Sequence, residues 1–219
     1  MIVGLLHFKK FRYHPARYFI YFLVYVWLMS NIGNYTYYFW KYELFKSFHE
    51  AIQDTVLKYN YWWFTLFWGL ASVSFFAWYF NKILANPLHR KILGVAFWFF
   101  LIVSIIVILF DMENFFLGYN PFIDINGAIV IMFCVAFYFI EILQSEKILQ
   151  FYRDITFYIA LGILLFWLIT TPLVFFEQYY RVYDPAYWNL RTYIYLAVNL
   201  MMYGLFSVGI IVSRSHNHD

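Results

Sequence analysis

The sequence predicts an all-α, polytopic integral membrane protein: a six-helix transmembrane bundle with both termini inside. Three observations carry that prediction. Of the 219 residues, 64% are hydrophobic and only 12% charged, about half the charge that clothes a soluble domain. The apolar residues fall into runs long enough to cross a ~30 Å hydrocarbon core. Finally, 27% of the chain is aromatic, a composition suited to helices that are wet at their ends and apolar between.

Long uncharged runs bounded by charge or turn residues place the spans at approximately 18–40, 61–80, 92–110, 124–143, 155–176 and 192–212. The third, ILGVAFWFFLIVSIIVILF, contains nothing more polar than Ser104. The fourth is the shortest apolar run and needs Asp124 and Ile125 in front and Leu143 behind to reach spanning length. Between the first two spans, Leu44, Phe45, Phe48, Ile52 and Val56 recur at helical spacing while Lys46, Glu50 and Asp54 fall elsewhere. This predicts an amphipathic outer segment over 44–57. The segment EQYYRVYDPAYWNLR (177–191) has the composition of an interfacial aromatic belt. No loop is long enough to hold a soluble domain, so the whole chain, 1–219, is expected to be one transmembrane domain.

Lysine and arginine set the orientation. With the N-terminus inside, the inner segments hold ten of the 15 basic residues: Lys9, Lys10, Arg12, Arg17, Lys82, Arg90, Lys91, Lys147, Arg153 and Arg214. The outer ones hold Lys41, Lys46, Lys58, Arg181 and Arg191. The positive-inside rule therefore favours an N-in, C-in protein of the cytoplasmic (inner) membrane. The opening MIVGLLHFKKFRYHPAR is followed by an apolar stretch too long for a cleaved signal and reads as a retained anchor. An offset of 59 residues lays Ala77, Tyr79, Phe80, Ile83 and Leu84 on Ala136, Tyr138, Phe139, Ile142 and Leu143, a faint parallel repeat at the inner ends of spans two and four.

Polar groups inside hydrocarbon are costly, and they are the natural candidates for function. By depth, Asn31, Asn34, Thr171 and Asn199 share the outer half of the bundle, and Asn31 and Asn34, three apart, face one side of their helix. Pro172 removes a backbone donor beside Thr170 and Thr171. These residues are expected to form either an outward-opening pocket with Tyr35 and Tyr195 at its mouth, or interhelical hydrogen bonds that hold the bundle together. Glu141 is the only acid embedded in an apolar run. It is a coupling acid for proton-linked transport, or a side chain that snorkels to the nearby interface. Gly204, Ser207 and Gly209 offer small surfaces for helix contact.

Other chemistries find no support. The histidines His7, His14, His49, His89, His216 and His218 all lie in termini or loops, where they cannot clasp a membrane haem from opposing spans. There is no HExxH, nucleophile elbow, P-loop or dinucleotide fingerprint. Asp111 and Glu113 stand together without histidine partners, and the terminal His216 and His218 suit a flexible tail better than a metal site. The single Cys134 lies among apolar residues and cannot form an internal disulfide. No catalytic residue, metal, cofactor or nucleic-acid partner is expected.

The stretches FYFIEILQSEKIL (137–149), YRDITFYIALGILLFWLITTPLVFF (152–176) and NLMMYGLFSVGIIVSR (199–214), with YNYWWFTLFWGLASVSFFAWYFNKIL (59–84), resemble small polytopic membrane proteins of Bacteroidota. These resemble the sensor segments found in or beside histidine kinases. The resemblance covers roughly residues 55–213 and implies a sensory or signalling role in the cytoplasmic membrane. The sequence contains no dimerisation helices, phospho-acceptor histidine or ATP domain after the last span, so it is not expected to be the kinase itself. The expectation is a non-enzymatic membrane sensor or regulator acting through a membrane or cytoplasmic signalling partner. The alternatives are a small transporter or channel component, or a structural subunit of a larger membrane complex.

Overall fold

The computed structural model describes residues 1–11, 14–118, 120–179 and 185–213, which are almost wholly helical and contain no strand. In chain order the helices are α1 (Ile2–Leu6), α2 (Ala16–Gly33), α3 (Tyr35–Lys41), α4 (Lys46–Ile52), α5 (Tyr61–Phe64), α6 (Ala71–Ile83), α7 (Pro87–Phe110), α8 (Met112–Leu117), α9 (Pro121–Leu143), α10 (Ile155–Tyr179) and α11 (Pro185–Val212). A π-helical stretch, Thr65–Leu70, joins α5 to α6. By length and composition, five segments are able to cross a membrane: Tyr61–Ile83, Pro87–Phe110, Pro121–Leu143, Ile155–Val174 and Ala186–Val212. These match the expected second to sixth spans.

The helices begin earlier than apolarity alone suggests because their caps lie outside the apolar runs. Asn86 and Asn120 each precede a proline at the first helical position, and their side-chain oxygens accept from the Leu88 N–H (2.9 Å) and the Phe122 N–H (3.1 Å). Asp154 caps α10 in the same manner, accepting from the Thr156 N–H at 2.9 Å. His89, Arg90 and Lys91 therefore belong to the start of α7, not to a loop.

The first expected span differs most. The helix over 18–40 ends at Gly33, and a new one starts at Tyr35 after a turn at Asn34. Glycine and asparagine are poor helix formers, and a neighbour exploits the break. A Cβ on Gly33 would lie 2.5 Å from the Trp63 ring, and Asn60 Nδ2 donates to the freed Gly33 carbonyl at 2.8 Å. Trp63 Nε1 donates to the Met29 carbonyl at 2.9 Å. The 44–57 segment is broken rather than one helix. It folds back so that Phe39 packs on Phe45 and Phe48, leaving Leu44 and Phe48 exposed.

Two interfaces organise the bundle. Between α10 and α11, Phe206 packs over Gly162 and Tyr158 over Gly209, so that a Cβ on either glycine would lie within 2.7 Å of a ring or its Cβ. At the centre, α9 packs on α6, α7 and α10. Its Gly127 admits Val73, Trp167 and Phe100, one from each neighbour. Cys134 is fully buried on the same helix. Helix α7 is peripheral: Val95, Trp98, Phe99, Ile102 and Leu109 are all exposed. An apolar face of that size has no place in water and fits a lipid boundary.

The ends of the bundle are distinct. At the end termed basal, Lys10 Nζ donates to the carbonyls of Ile210 (2.9 Å) and Ile211 (3.0 Å). A cation thereby meets the negative end of α11 and the N-terminal segment is tied to the last helix. Partial burial holds the Lys10 ammonium below its ordinary pKa. Also at this end, Lys82 lies 4.5 Å from the Trp78 ring centroid and Arg17 donates to Tyr18 Oη at 2.7 Å. The opposite, apical end holds α3, α4 and α8.

The α10–α11 interlock yields a sharp prediction. Gly209→Val lowers the thermal unfolding temperature in detergent by the equivalent of about 1–3 kcal/mol, the cost of overpacking a tight contact. Gly204, whose added Cβ would meet nothing within 4 Å, tolerates alanine without loss. Equal effects of the two substitutions would contradict the interlock.

Candidate ligand-binding cleft

In the basal half, α2 and α11 approach one another. Phe19 and Phe206 meet edge to face at 4.9 Å, and α1 wedges beside them with Gly4 against Ile20 and Ile210. Towards the apical end the two helices take different partners: α2 follows the π stretch, while α11 stays on α10. The gap between them is a cavity of about 1060 Å³, at the upper end of ordinary small-molecule sites.

Each wall has a local cause. On α2, Leu23, Val26, Trp27 and Ser30 line the cavity, a spacing of three and four that marks one helix face. On the second wall, the π stretch contributes Thr65, Trp68 and Gly69. Its wider turn disturbs the backbone ladder, and Tyr25 Oη donates to the Phe67 carbonyl at 2.9 Å. On α10, Phe166, Trp167, Thr170 and Thr171 face the space, with Pro172 next in the chain. The α11 wall runs from Tyr187 to Tyr203, about 24 Å at 1.5 Å per residue. Met1 and Leu23 reach the basal floor.

The polarity of the cleft is graded. Its apical rim carries Asp124, Tyr187, Arg191 and Thr192, and the Arg191 guanidinium lies 5.0 Å from the ring centroids of both Trp188 and Tyr195. Three polar side chains, Thr192 at the rim and Thr170 and Asn199 deeper, turn back on their own helices. Thr170 Oγ1 donates to Phe166 O (2.8 Å), Asn199 Nδ2 to Tyr195 O (2.7 Å) and Thr192 Oγ1 to Trp188 O (2.9 Å). Backbone carbonyls absorb these donors, and the hydroxyls of Ser30, Thr65 and Thr171 stand among otherwise mostly aromatic and aliphatic side chains.

Of the four residues that sequence depth groups together, Thr171 and Asn199 line the cleft. Asn31 and Asn34 do not line it: both are exposed, Asn31 Nδ2 donates to Trp27 O (2.7 Å), and Asn34 forms the turn between α2 and α3. Neither Asn31 nor Asn199 has a hydrogen bond to another helix among the described contacts. Tyr195 lines the cleft, whereas the single Tyr35 O–H is shared between the carbonyls of Leu57 (2.7 Å) and Tyr59 (3.0 Å). The π stretch and α1 escape sequence reading. Both are almost wholly apolar, and only Thr65, Gly69 and Gly4 stand out within them.

Glu141 lies at the basal end of α9, where its carboxylate is engaged by the α6–α7 connection. Its Oε2 accepts from the Ala85 N–H (2.7 Å) and its Oε1 from the Asn86 N–H (3.1 Å), capping the loop between α6 and α7. His89 Nδ1 lies 2.8 Å from Oε1. Because an ionised carboxylate only accepts, that nitrogen carries the proton. The imidazole stacks on Phe137 at 4.6 Å. Glu141 thus staples α9 to the α6–α7 hairpin. Nearby, Tyr138 Oη donates to Asp154 at 3.1 Å.

Among the described residues, no group of three His, Cys, Asp or Glu side chains is placed to hold a metal. His216, His218 and Asp219 lie outside the described residues, as do Arg12, Arg181, Asp184 and Arg214.

Fold and cleft together define a helical protein of the multi-pass membrane type, with an aromatic cavity in one half of its bundle. Compared with known proteins, the chain matches no family model, no curated protein and no solved structure.

The staple at Glu141 is tested by stability. Glu141→Ala releases two backbone donors and His89, and costs about 1–3 kcal/mol of thermal stability in detergent. A wild-type unfolding temperature in that variant would contradict a structural role.

Proposed function

We propose that the protein is a non-enzymatic sensor or regulator of the cytoplasmic membrane that binds a ligand in the cleft and acts through a signalling partner. The cleft carries this proposal. It is large, its lining comes from several separate parts of the chain, and its interior offers mostly aromatic and aliphatic surface for binding a ligand.

The proposed topology has six crossings with both termini in the cytoplasm. Helix α2 supplies the further crossing: its 18 residues span about 27 Å, and Arg17 and Tyr18 anchor its basal end. The concentration of lysine and arginine at the basal end supports a cytoplasmic orientation. The basal face is then the surface for the partner. Its connections are short, Leu84–Asn86 between α6 and α7 and Gln144–Asp154 between α9 and α10, so signal output rests on another chain.

The π stretch opposite Pro172 favours a second proposal, a small transporter, because interrupted helices flank the binding sites of many transporters. Against it, the charged residues Asp124 and Arg191 lie at the rim of the cleft and not at its middle depth.

Purification of the tagged protein in mild detergent, with mass spectrometry of the eluate, tests the regulatory proposal. A stoichiometric signalling partner is expected, with recovery altered by Asn199→Phe, which fills the cleft far from the basal face. Recovery of the protein alone, in the wild type and the variant, would contradict it.

A further inference from the structure

We infer that the cleft holds an acyl chain of a membrane phospholipid, admitted sideways between α2 and α11 from the apical leaflet. This rests on the proposal that the cleft is a ligand site, and adds the class of ligand.

Four features support it. First, the edges of the opening are exposed: Trp27 on α2 is 49% exposed, and Leu196 and Tyr203 on α11 are 56% and 37% exposed. On helices that cross a membrane, such exposure is to hydrocarbon, so the entrance faces lipid tails. Second, the cavity is elongated along the bundle, following about 24 Å of α11, the shape of an extended chain rather than a compact solute. Third, the deeper walls are mostly aromatic and aliphatic, and the Thr170 and Asn199 donors are engaged by backbone carbonyls of their own helices, which leaves only the hydroxyls of Ser30, Thr65 and Thr171. A polar solute would find few donors there, whereas a methylene chain needs none. Fourth, the rim suits a headgroup. Arg191, between Trp188 and Tyr195, carries the sign complementary to a phosphate, and Asp124 that complementary to an ammonium. Trp and Tyr are the residues that favour headgroup depth.

Closure at the basal end defines how far the chain enters. The Phe19–Phe206 contact and the α1 wedge end the cleft partway along α2, so the chain occupies one half of the bundle. An occupant therefore touches Leu23 and the start of α1, the segment that Lys10 ties to the last turn of α11. Occupancy is thereby placed against the elements closest to the basal face.

The test is photolabelling of the full-length protein, reconstituted in vesicles of phosphatidylethanolamine bearing a diazirine on one acyl chain, with labelled peptides mapped by mass spectrometry. Label is expected to concentrate on 23–30 and 196–203. Ser30→Trp and Asn199→Phe, which fill the cleft from opposite walls, are expected to reduce it about ten-fold, an apparent loss of about 1.4 kcal/mol in occupancy. Labelling of the lipid-facing side of α7, around Trp98 and Ile102, is expected to stay unchanged and shows that the variants remain folded. Cleft labelling no stronger than that of α7, or insensitive to both substitutions, would overturn the assignment. Partner recovery from the same variants separates the two proposals. Labelling as expected with unaltered recovery leaves the lipid assignment standing and removes the sensor. Absent labelling with altered recovery removes the lipid and keeps the sensor.

Discussion

A bundle bordered by hydrocarbon has no water to satisfy its backbone, so every break in a helix must find an internal partner. This constraint explains most of the polar contacts in the structure. Where α2 ends, Asn60 and Trp63 meet the carbonyls of Gly33 and Met29. Where the π stretch disturbs its ladder, Tyr25 meets Phe67. Where α6 turns into α7, Glu141 meets two exposed N–H groups, and where α11 ends, Lys10 meets its last carbonyls. The side chains that look functional because they are polar and deep are largely engaged in this way.

The cleft is a by-product of the same constraint before it is a site. Helix α2 is drawn to the π stretch by Tyr25 and to α5 by Trp63 and Asn60, while α11 is drawn to α10 by the reciprocal contacts of Gly162 with Phe206 and Gly209 with Tyr158. Both attractions strengthen the separation of α2 from α11 in the apical half, and Phe19 with Phe206 limits it in the basal half. Aromatic side chains then line the space, because phenylalanine, tyrosine and tryptophan supply much of this chain's bulk.

The composition made the helical class and the five candidate spans legible, since a run such as Ile92–Phe110 has no soluble alternative. Helix starts were less legible. The caps Asn86 and Asn120 stand outside the apolar runs, and His89, Arg90 and Lys91 disguise the start of α7. The break at Gly33–Asn34 was hidden because Tyr35 to Trp40 continue the apolar pattern on its far side. At the site, depth could be read but rotation could not. Thr171 and Asn199 lie at the right level and face the cleft, whereas Asn31 lies at a similar level on a face that misses it. On a helix apolar almost all round, polarity carries little phase information.

The central claim is that Thr171 and Asn199 border open space and do not seal a helix contact. The most direct measurement is the rate at which a small methanethiosulfonate reagent modifies single cysteines in detergent, in a Cys134→Ala background. The account predicts rapid modification of Thr171→Cys and Asn199→Cys and protection of Ser104→Cys, whose parent serine is 1% exposed within the bundle. Equal protection at all three positions would show the apical half closed and contradict it.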